Sequence, residues 1–313
     1  MDASSREKLL EALKHSIPKK QIFENAPMSR YTTLRLGGPA DVLVQIASVE
    51  QLSSAYAAAR DAGAEVRVLG NGSNLLIRDG GVRGLVLQLG ELFSEVSDPV
   101  PLPDGRVALT AQGGATLQKL CNAAADYALS GLEFASGIPG TVGGAAYMNA
   151  GAYGGEMKDV VERVRHLTPA GEEGEAAGEA LRFAYRKSRY TGGRDIITFV
   201  EYRLAPGDPA QISAQMEDLM ARRKSKQPYD MPSAGSVFKR PEGYYAAALI
   251  EECGLKGRRV GGAQVSEKHA GFIVNTGGAT CQDVLGLIGE IQREVFAQKG
   301  VRLETEVRVT GEA

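Results

Sequence analysis

The stretches LGNGSNLLI (residues 69–77) and GIPGTVGGAAYMNAGAYGG (residues 137–155) decide the fold class of this chain. The first comes directly after a predicted strand, EVRVLG, and the second is a longer run of the same glycine-rich kind. Glycine lets backbone N–H groups approach an anion closely and form a concave set of donors. Either segment alone is explained equally well by tight turns. Two in one chain favour one large phosphate-bearing cofactor.

The first segment does not match the dinucleotide fingerprint G-x-G-x-x-G. Gly70 and Gly72 fit the first two positions, but Leu75 stands where the third glycine is required. A nicotinamide dinucleotide held in a Rossmann site is therefore disfavoured.

Composition and charge are those of an ordinary globular enzyme. The 313 residues are 43% hydrophobic and 24% charged, with a formal net charge of −2 and a pI near 6.1. A nucleic-acid partner is not expected, because there is no basic excess and no interleaving of aromatic with basic residues. Cys121, Cys253 and Cys281 are far apart in sequence and indicate neither a zinc site nor a disulfide framework.

Localisation in the cytoplasm is expected. The N-terminal MDASSREKLLEALKHS predicts an amphipathic helix with charges throughout, which lacks the apolar core of a signal peptide. The longest uncharged run, residues 134–155, has 22 residues but contains seven glycines and a proline, so no membrane span is expected.

The pattern of helices and strands predicts three α+β segments, residues 1–83, 84–208 and 209–313. The first contains a strand at 41–46, a helix that starts with a capping box at Ser48 and stops near Gly63, and the strand EVRVLG. The second contains the strands LVLQL, RVALTAQ, VVERVRHLTP and DIITFVEYRLA, with one helix near 116–128. The third contains helices at 209–226, 243–253 and 281–299 and a final strand, RLETEVRVT.

PSAGSVFKRP (residues 232–241) places Ser236 among small residues. A hydrolase is disfavoured, because the chain has only three histidines and no G-x-S-x-G elbow around this serine. Cations flank the stretch on both sides and suit a ligand with phosphate or carboxylate groups. For Arg222, Arg223 and Lys224, a solvated helix face is an equally good explanation.

Six motifs together resemble the UDP-N-acetylenolpyruvoylglucosamine reductase (MurB) family. They are YTTLRLGG (31–38), LGNGSNLLI (69–77), GIPGTVGGAAYMNAGAYG (137–154), YRKSRY (185–190), PSAGSVFKRP (232–241) and LETEVRV (303–309). The match runs in colinear order from about residue 20 to residue 310. Since the segment between Arg186 and Gln211 holds only a strand and a turn, the chain resembles the shorter type, which lacks an inserted tyrosine loop.

The resemblance implies an α+β fold of the PCMH type, also described as vanillyl-alcohol-oxidase-like. This fold has two α+β FAD-binding subdomains and a C-terminal α+β substrate-binding domain. The resemblance further implies FAD as cofactor and NADPH as reductant. Because neither glycine segment contains histidine or cysteine, the FAD is expected to be non-covalent. The implied cofactor-binding residues are Leu69, Gly70, Asn71, Gly72, Ser73, Asn74, Leu75, Gly137, Ile138, Pro139, Gly140, Thr141, Gly143, Gly144, Ala145, Asn149, Gly151 and Arg308.

The resemblance also implies the reaction and its catalytic residues. Reduction of UDP-N-acetylglucosamine enolpyruvyl ether to UDP-N-acetylmuramate, for peptidoglycan synthesis, requires hydride addition to the vinyl carbon and then a proton. The family assigns charge stabilisation to Arg186 and Glu306 and proton donation to Ser236. Lys226, Arg240 and His269 are the implied substrate contacts, and no metal is implied.

Two alternatives stay open at this stage. One is another FAD-dependent oxidase or dehydrogenase of the same fold, acting on a sugar or an alcohol. The other is a UDP-sugar-binding regulator without activity. An oxidase has no enolate to protonate, so the serine, arginine and glutamate set favours the reductase over the oxidase. A regulator would carry no flavin, so the presence of flavin would separate the reductase from the regulator.

Overall fold

The computed structural model describes all 313 residues of the chain. Seven α-helices are present. They are α1 (Ala3–Lys14), α2 (Val49–Asp61), α3 (Leu117–Asp126), α4 (Val142–Met148), α5 (Pro209–Lys226), α6 (Ala246–Glu252) and α7 (Cys281–Lys299). None of them is long and apolar enough to cross a membrane.

The strands are mostly short. They are β1 (Ile22–Pro27), β2 (Pro39–Ile46), β3 (Val66–Leu69), β4 (Leu75–Ile77), β5 (Val82–Leu89), β6 (Val100–Pro101), β7 (Val107–Gln112), β8 (Leu129–Ser130), β9 (Gly151–Ala152), β10 (Gly155–Glu156), β11 (Val161–Leu167), β12 (Glu173–Ala177), β13 (Ile196–Pro206), β14 (Ser233–Ser236), β15 (Arg259–Val260), β16 (Ala263–Val265), β17 (Phe272–Asn275) and β18 (Arg308–Thr310).

Most of the helices start at residues that capping chemistry favours. Thr280 and Asp283 form a reciprocal capping box at the start of α7, and Gly300 ends that helix with φ +69°. Ser48 caps α2 by accepting from the N–H of Gln51. The predicted capping box at Ser48 is wrong in its second half, because the Gln51 side chain accepts from the N–H of Ala47 and not from Ser48.

The chain packs into two compact units, each built from several stretches. The first comprises Met1–Phe23, Leu43–Asn71 and Gly84–Arg223, and the second comprises Glu24–Val42, Gly72–Arg83 and Lys224–Ala313. The division into three segments at residues 83 and 208 stays a prediction.

The first unit has its core on a six-stranded sheet. Its order is β12-β11-β13-β7-β6, with β8 pairing with β13, and every pairing is antiparallel. Alternate residues of β13, such as Val200 and Tyr202, are buried, which is the period expected for a strand with one covered face. Helices α3 and α4 pack into the same core through residues such as Leu120 and Val142.

The predicted unit of strand, helix and strand at 41–70 is β2, α2 and β3. These two strands are not neighbours, because the sheet order is β1-β2-β5-β3. Strand β5 lies between them and pairs in parallel with β3. The sheet is therefore completed by the second strand after β3, because β4 lies between β3 and β5 along the chain and pairs with β18 instead.

The second unit packs α6 and α7 against the sheet β14-β17-β16-β15. Its core includes Leu287 and Ile291 of α7 and Ile273 of β17. Strand β18 pairs in parallel with β4. The predicted strand at 302–310 is too long: the N–H groups of Glu306 and Val307 both point to the carbonyl of Val237, which interrupts a regular ladder before Arg308.

Candidate active site

The first glycine segment presents a row of free backbone donors. The N–H groups of Asn71, Gly72, Ser73 and Asn74 donate to no group of the protein. Gly72 has φ +61°, and a Cβ there would lie 2.2 Å from the carbonyl oxygen of Tyr31. Successive free N–H groups in such a turn form a concave site for an anion, so this segment fits a cofactor pyrophosphate.

The structure brings the two glycine segments together, as the sequence predicts. Asn71 Nδ2 donates to the carbonyl of Pro139 at 2.8 Å. A Cβ on Gly70 would lie 2.4 Å from Thr141 Oγ1. Any residue other than glycine at position 70 would therefore collide with Thr141 and force the two segments apart.

The second glycine segment contributes mainly close packing. It contains the helix α4, which is capped by Thr141 and buries Val142, Ala145 and Ala146. The N–H groups of Val142, Gly143 and Ala145 already donate to protein carbonyls. These N–H groups are therefore not available to bind a ligand, in contrast to the N–H groups of residues 71–74.

Asn149 connects the end of this helix to the segment that carries Arg186. It is fully buried with φ +44°, and its side chain donates to Glu156 and to the carbonyl of Ala184 and accepts from the N–H of Lys158. These bonds occupy both the nitrogen and the oxygen of the side-chain amide. Asn149 therefore fixes the position of Ala184, two residues before Arg186.

Arg186 lies in a tight turn with a rare backbone conformation. Ala184 and Lys187 exchange both backbone hydrogen bonds across the turn, and Arg186 has φ +54°. A left-handed conformation at a residue other than glycine is uncommon and costs about 1–2 kcal/mol. Arg186 Nη2 donates to the carbonyl of Gly151 at 3.4 Å. Such a conformation persists only where the surrounding structure holds it.

The residues after Arg186 are held by side-chain hydrogen bonds to Tyr147 and to His166. Ser188 and Thr191 donate their hydroxyls to the carbonyl of Tyr147. The Tyr190 hydroxyl is hydrogen-bonded to His166 Nδ1 at 3.0 Å, deep in the first unit. Burial lowers the pKa of His166 and raises the pKa of Tyr190 to about 12, so both groups are neutral near pH 7.

Ser236 lies in the second unit, next to a residue that is hydrogen-bonded to Glu306. Ser236 ends β14, follows Gly235 with φ +75°, and its hydroxyl has no hydrogen-bond partner in the protein. The N–H of Glu306 donates to the carbonyl of Val237, the residue after Ser236, at 2.7 Å. Asn74 Nδ2 donates to the carbonyl of Glu306 at 3.3 Å, which links this pair to the first glycine segment.

The three predicted substrate contacts all belong to the second unit but differ in environment. Lys226 is exposed at the end of α5, and Arg240 is exposed with its guanidinium 4.1 Å from the centre of the Tyr245 ring. His269 is partly buried: Nδ1 accepts from the N–H of Gly271, and burial lowers its pKa. Its imidazole is therefore neutral near pH 7.

Comparison with known proteins decides the family. The chain is 48% identical to the UDP-N-acetylenolpyruvoylglucosamine reductase of Levilactobacillus brevis over 297 residues, which is 95% of each chain. It is 46% identical to the enzyme of that name from Clostridioides difficile, again over 95% of each chain. The chain belongs to the UDP-N-acetylenolpyruvoylglucosamine reductase family.

Two family models match the chain. The FAD-binding domain matches residues 40–176, and the C-terminal domain of UDP-N-acetylenolpyruvoylglucosamine reductase matches residues 227–310. The crystal structure of the reductase (MurB) from Thermus caldophilus has a TM-score of 0.77 and 39% identity, covering 92% of this chain and 97% of that one. The PCMH-type α+β fold and FAD as cofactor are thereby confirmed.

The match also decides between the alternatives left open by the sequence. Relatives that cover 95% of the chain carry the reductase name, so a different oxidase or dehydrogenase of this fold is not favoured. The shorter type is confirmed as well, since Arg186 is followed by turns, by β13 and then directly by α5.

Arg223 and Tyr153 are the notable residues of this reductase that sequence reasoning did not assign. Arg223 is buried on α5, while its neighbours Arg222 and Lys224 are exposed. Helical periodicity gave a signal, because Arg223 lies four residues after the buried Leu219 and thus on the same helix face. Tyr153 sits at the tip of the β9–β10 hairpin with φ +52°, which no sequence pattern indicated.

Proposed function

We propose that this chain is an FAD-dependent reductase that converts UDP-N-acetylglucosamine enolpyruvyl ether to UDP-N-acetylmuramate. NADPH is the reductant, and the reaction serves peptidoglycan biosynthesis in the cytoplasm. The observation that carries the proposal is the backbone hydrogen bond from Glu306 to Val237, the residue after Ser236, in a chain that matches this reductase family over nearly its whole length. An oxidase acting on an alcohol requires no such proton donor.

The backbone of residues 71–74 is the proposed cradle for the FAD pyrophosphate. Its four free N–H groups and the absence of a Cβ at Gly72 support this assignment. The remaining proposed cofactor contacts, in segment 137–151 and at Arg308, rest on the family match. When bound, the flavin supplies the redox chemistry that transfers hydride from NADPH to the vinyl carbon of the sugar.

Ser236 is the proposed proton donor. A serine hydroxyl is a weak acid in water, but the carbon left after hydride addition is basic enough to take its proton when held close. Because the Ser236 hydroxyl makes no hydrogen bond within the protein, its proton is not engaged by a competing acceptor.

Arg186 and Glu306 are the proposed stabilisers of the negative charge that spreads onto the substrate carboxylate. A guanidinium is always charged and forks onto a carboxylate through two parallel N–H groups. The turn is held in place through Ala184 by the buried Asn149, which fixes the backbone from which the Arg186 guanidinium projects. Lys226, Arg240 and His269 are the proposed contacts for the rest of the UDP-sugar.

Two measurements test the function. Purified protein is expected to show the visible absorbance band of an oxidised flavin. It is also expected to oxidise NADPH in proportion to the enolpyruvyl sugar added, with a product heavier than the substrate by two hydrogens. Protein that binds FAD yet consumes NADPH only with an alcohol or another sugar would contradict the proposal.

A further inference from the structure

The motif YTTLRLGG (31–38) contains none of the residues proposed for catalysis or binding, yet it is clamped firmly into the second unit. The Thr32 hydroxyl donates to the carbonyl of Leu36 at 2.9 Å, which closes a turn within the motif. Asn275, the last residue of β17, donates through Nδ2 to the carbonyl of Leu34 at 3.0 Å. Both donor residues are buried. A segment held in this way fixes the position of the groups that it contacts.

Thr33, in the middle of this motif, contacts both the first glycine segment and the strand that ends at Ser236. Its N–H donates to the carbonyl of Gly72 at 3.3 Å, and its hydroxyl donates to the carbonyl of Ser233 at 2.7 Å. Ser233 is the first residue of β14 and Ser236 is the last. Thr33 thus joins the backbone proposed to bind the FAD pyrophosphate to the strand that carries the proposed proton donor.

Strand β14 lies at the edge of its sheet, so one side of its backbone has no neighbouring strand. On the other side, the N–H of Asn275 in β17 donates to the carbonyl of Pro232. Because the carbonyls of successive strand residues point to opposite sides, the carbonyl of Ser233 faces away from β17. The hydroxyl of Thr33 is the donor that this carbonyl receives there. Without it, the start of β14 would be held from one side only.

The pairing of β14 with β17 is irregular between Ser233 and Ser236. Ser233 is opposite Val274, and Ser236 is opposite Phe272. Three steps along β14 therefore match two steps along β17, which is the extra residue of a β-bulge, and Gly235 within it has φ +75°. A bulge bends its strand and redirects side chains. The direction of Ser236 consequently depends on how the bulge is held at its start, the carbonyl that Thr33 binds.

We propose that Thr33 is a positioning residue for the reduction: through the Ser233 carbonyl it sets the orientation of Ser236 relative to the backbone at Gly72. This inference rests on the proposed function, in which Ser236 donates the proton. Proton transfer requires the hydroxyl within hydrogen-bond reach of the carbon that accepts the proton. A displacement of about 1 Å can cost about a hundredfold in rate. In this role Thr33 acts through Ser236 and supplies no group to the reaction itself.

The test follows the two half-reactions by anaerobic stopped-flow spectroscopy in variants of the flavin-loaded protein. Thr33→Val removes the hydroxyl and keeps the shape of the side chain, and Thr33→Ser keeps the hydroxyl. Thr276→Val is the matched control, because the Thr276 hydroxyl also donates to a distant carbonyl of the second unit, that of Gly262, at 3.0 Å. Thr33→Val is also combined with Ser236→Ala and compared with Ser236→Ala alone. Flavin content and melting temperature are measured for every variant.

Thr33→Val is expected to retain its flavin and to be bleached by NADPH within about twofold of the natural rate, since that step needs no proton from serine. Its reoxidation by the enolpyruvyl sugar should be slower by about tenfold to a hundredfold, because the Ser236 hydroxyl is displaced. Thr33→Ser should restore most of that rate. In the Ser236→Ala protein, Thr33→Val should slow reoxidation no further, since residues that act through one group are not additive. Thr276→Val should lower the melting temperature about as much as Thr33→Val and leave both half-reactions unchanged.

Several results would overturn the inference. One is reoxidation of Thr33→Val within about twofold of the natural rate, whether or not the melting temperature falls. Loss of flavin, or equal slowing of both half-reactions, would assign Thr33 to the cofactor or to the fold. Further slowing of Ser236→Ala by Thr33→Val would show an effect that does not pass through Ser236, and equal slowing by Thr276→Val would show a general effect of losing a hydroxyl. Failure of the proposed function looks different: the enolpyruvyl sugar would not reoxidise the flavin of the natural protein.

Discussion

Replacing Ser236 with alanine removes one hydroxyl from the end of β14 and leaves its backbone in place. The backbone there is held by the pairing of β14 with β17 and by the contacts of Val237 with Gly271 and Glu306. None of these involves the serine side chain. We therefore expect the substitution to alter chemistry without altering structure.

The expected magnitudes follow from these contacts. The Ser236 hydroxyl has no protein partner, so alanine breaks no hydrogen bond and the free energy of unfolding should change by no more than about 0.5 kcal/mol. Loss of a positioned general acid typically costs 10²–10⁴-fold in rate, so turnover should fall by at least about a hundredfold.

Anaerobic stopped-flow spectroscopy separates the two half-reactions. Mixing with NADPH should bleach the flavin absorbance in Ser236→Ala at nearly the natural rate, because that step needs no proton from serine. Subsequent mixing with the enolpyruvyl sugar should restore the absorbance at least about a hundredfold more slowly. Ser236→Cys should regain part of this rate, since a thiol also carries a transferable proton.

Two results would refute the argument. If alanine slows bleaching by NADPH and leaves reoxidation by the sugar intact, Ser236 is not the proton donor. If the variant loses its flavin or melts at a much lower temperature, the serine has a structural role that its lack of hydrogen bonds does not predict.

The remaining predictions concern the arginine turn, the first glycine segment and pH. Arg186→Lys should retain FAD and lose most turnover, because a point charge cannot reproduce the planar fork, whereas unchanged activity would remove Arg186 from the catalytic set. Gly72→Ala should lose flavin, since its Cβ would lie 2.2 Å from the Tyr31 carbonyl, while Gly63→Ala, with φ +65° and open space around it, should keep it. Burial lowers the pKa of His166 below its unfolded value, so the unfolded chain binds more protons and stability should fall as pH drops below about 6.5; His166→Asn should flatten this dependence of the melting temperature.

The sequence by itself determined the cofactor class, the family and most of the regular elements. Capping residues and terminal glycines fixed the ends of α2 and α7, since these signals act within a few residues of chain. The six colinear motifs identified the family because their order and spacing are properties of the chain alone. Two glycine segments indicated one phosphate-bearing cofactor, and the structure brings them into contact through Asn71 and Thr141.

Only the tertiary structure decided how those glycines and cations are used. Residues 71–74 keep their N–H groups free while those of α4 are taken up within the fold, because partners such as Ala115 and Gly113 come from distant parts of the sequence. Arg222 and Arg223 are neighbours of the same type, yet one faces solvent and the other is buried without a partner. Burial depends on what packs against a helix, and in the first unit the β9–β10 hairpin, from a remote part of the chain, is what meets Arg223.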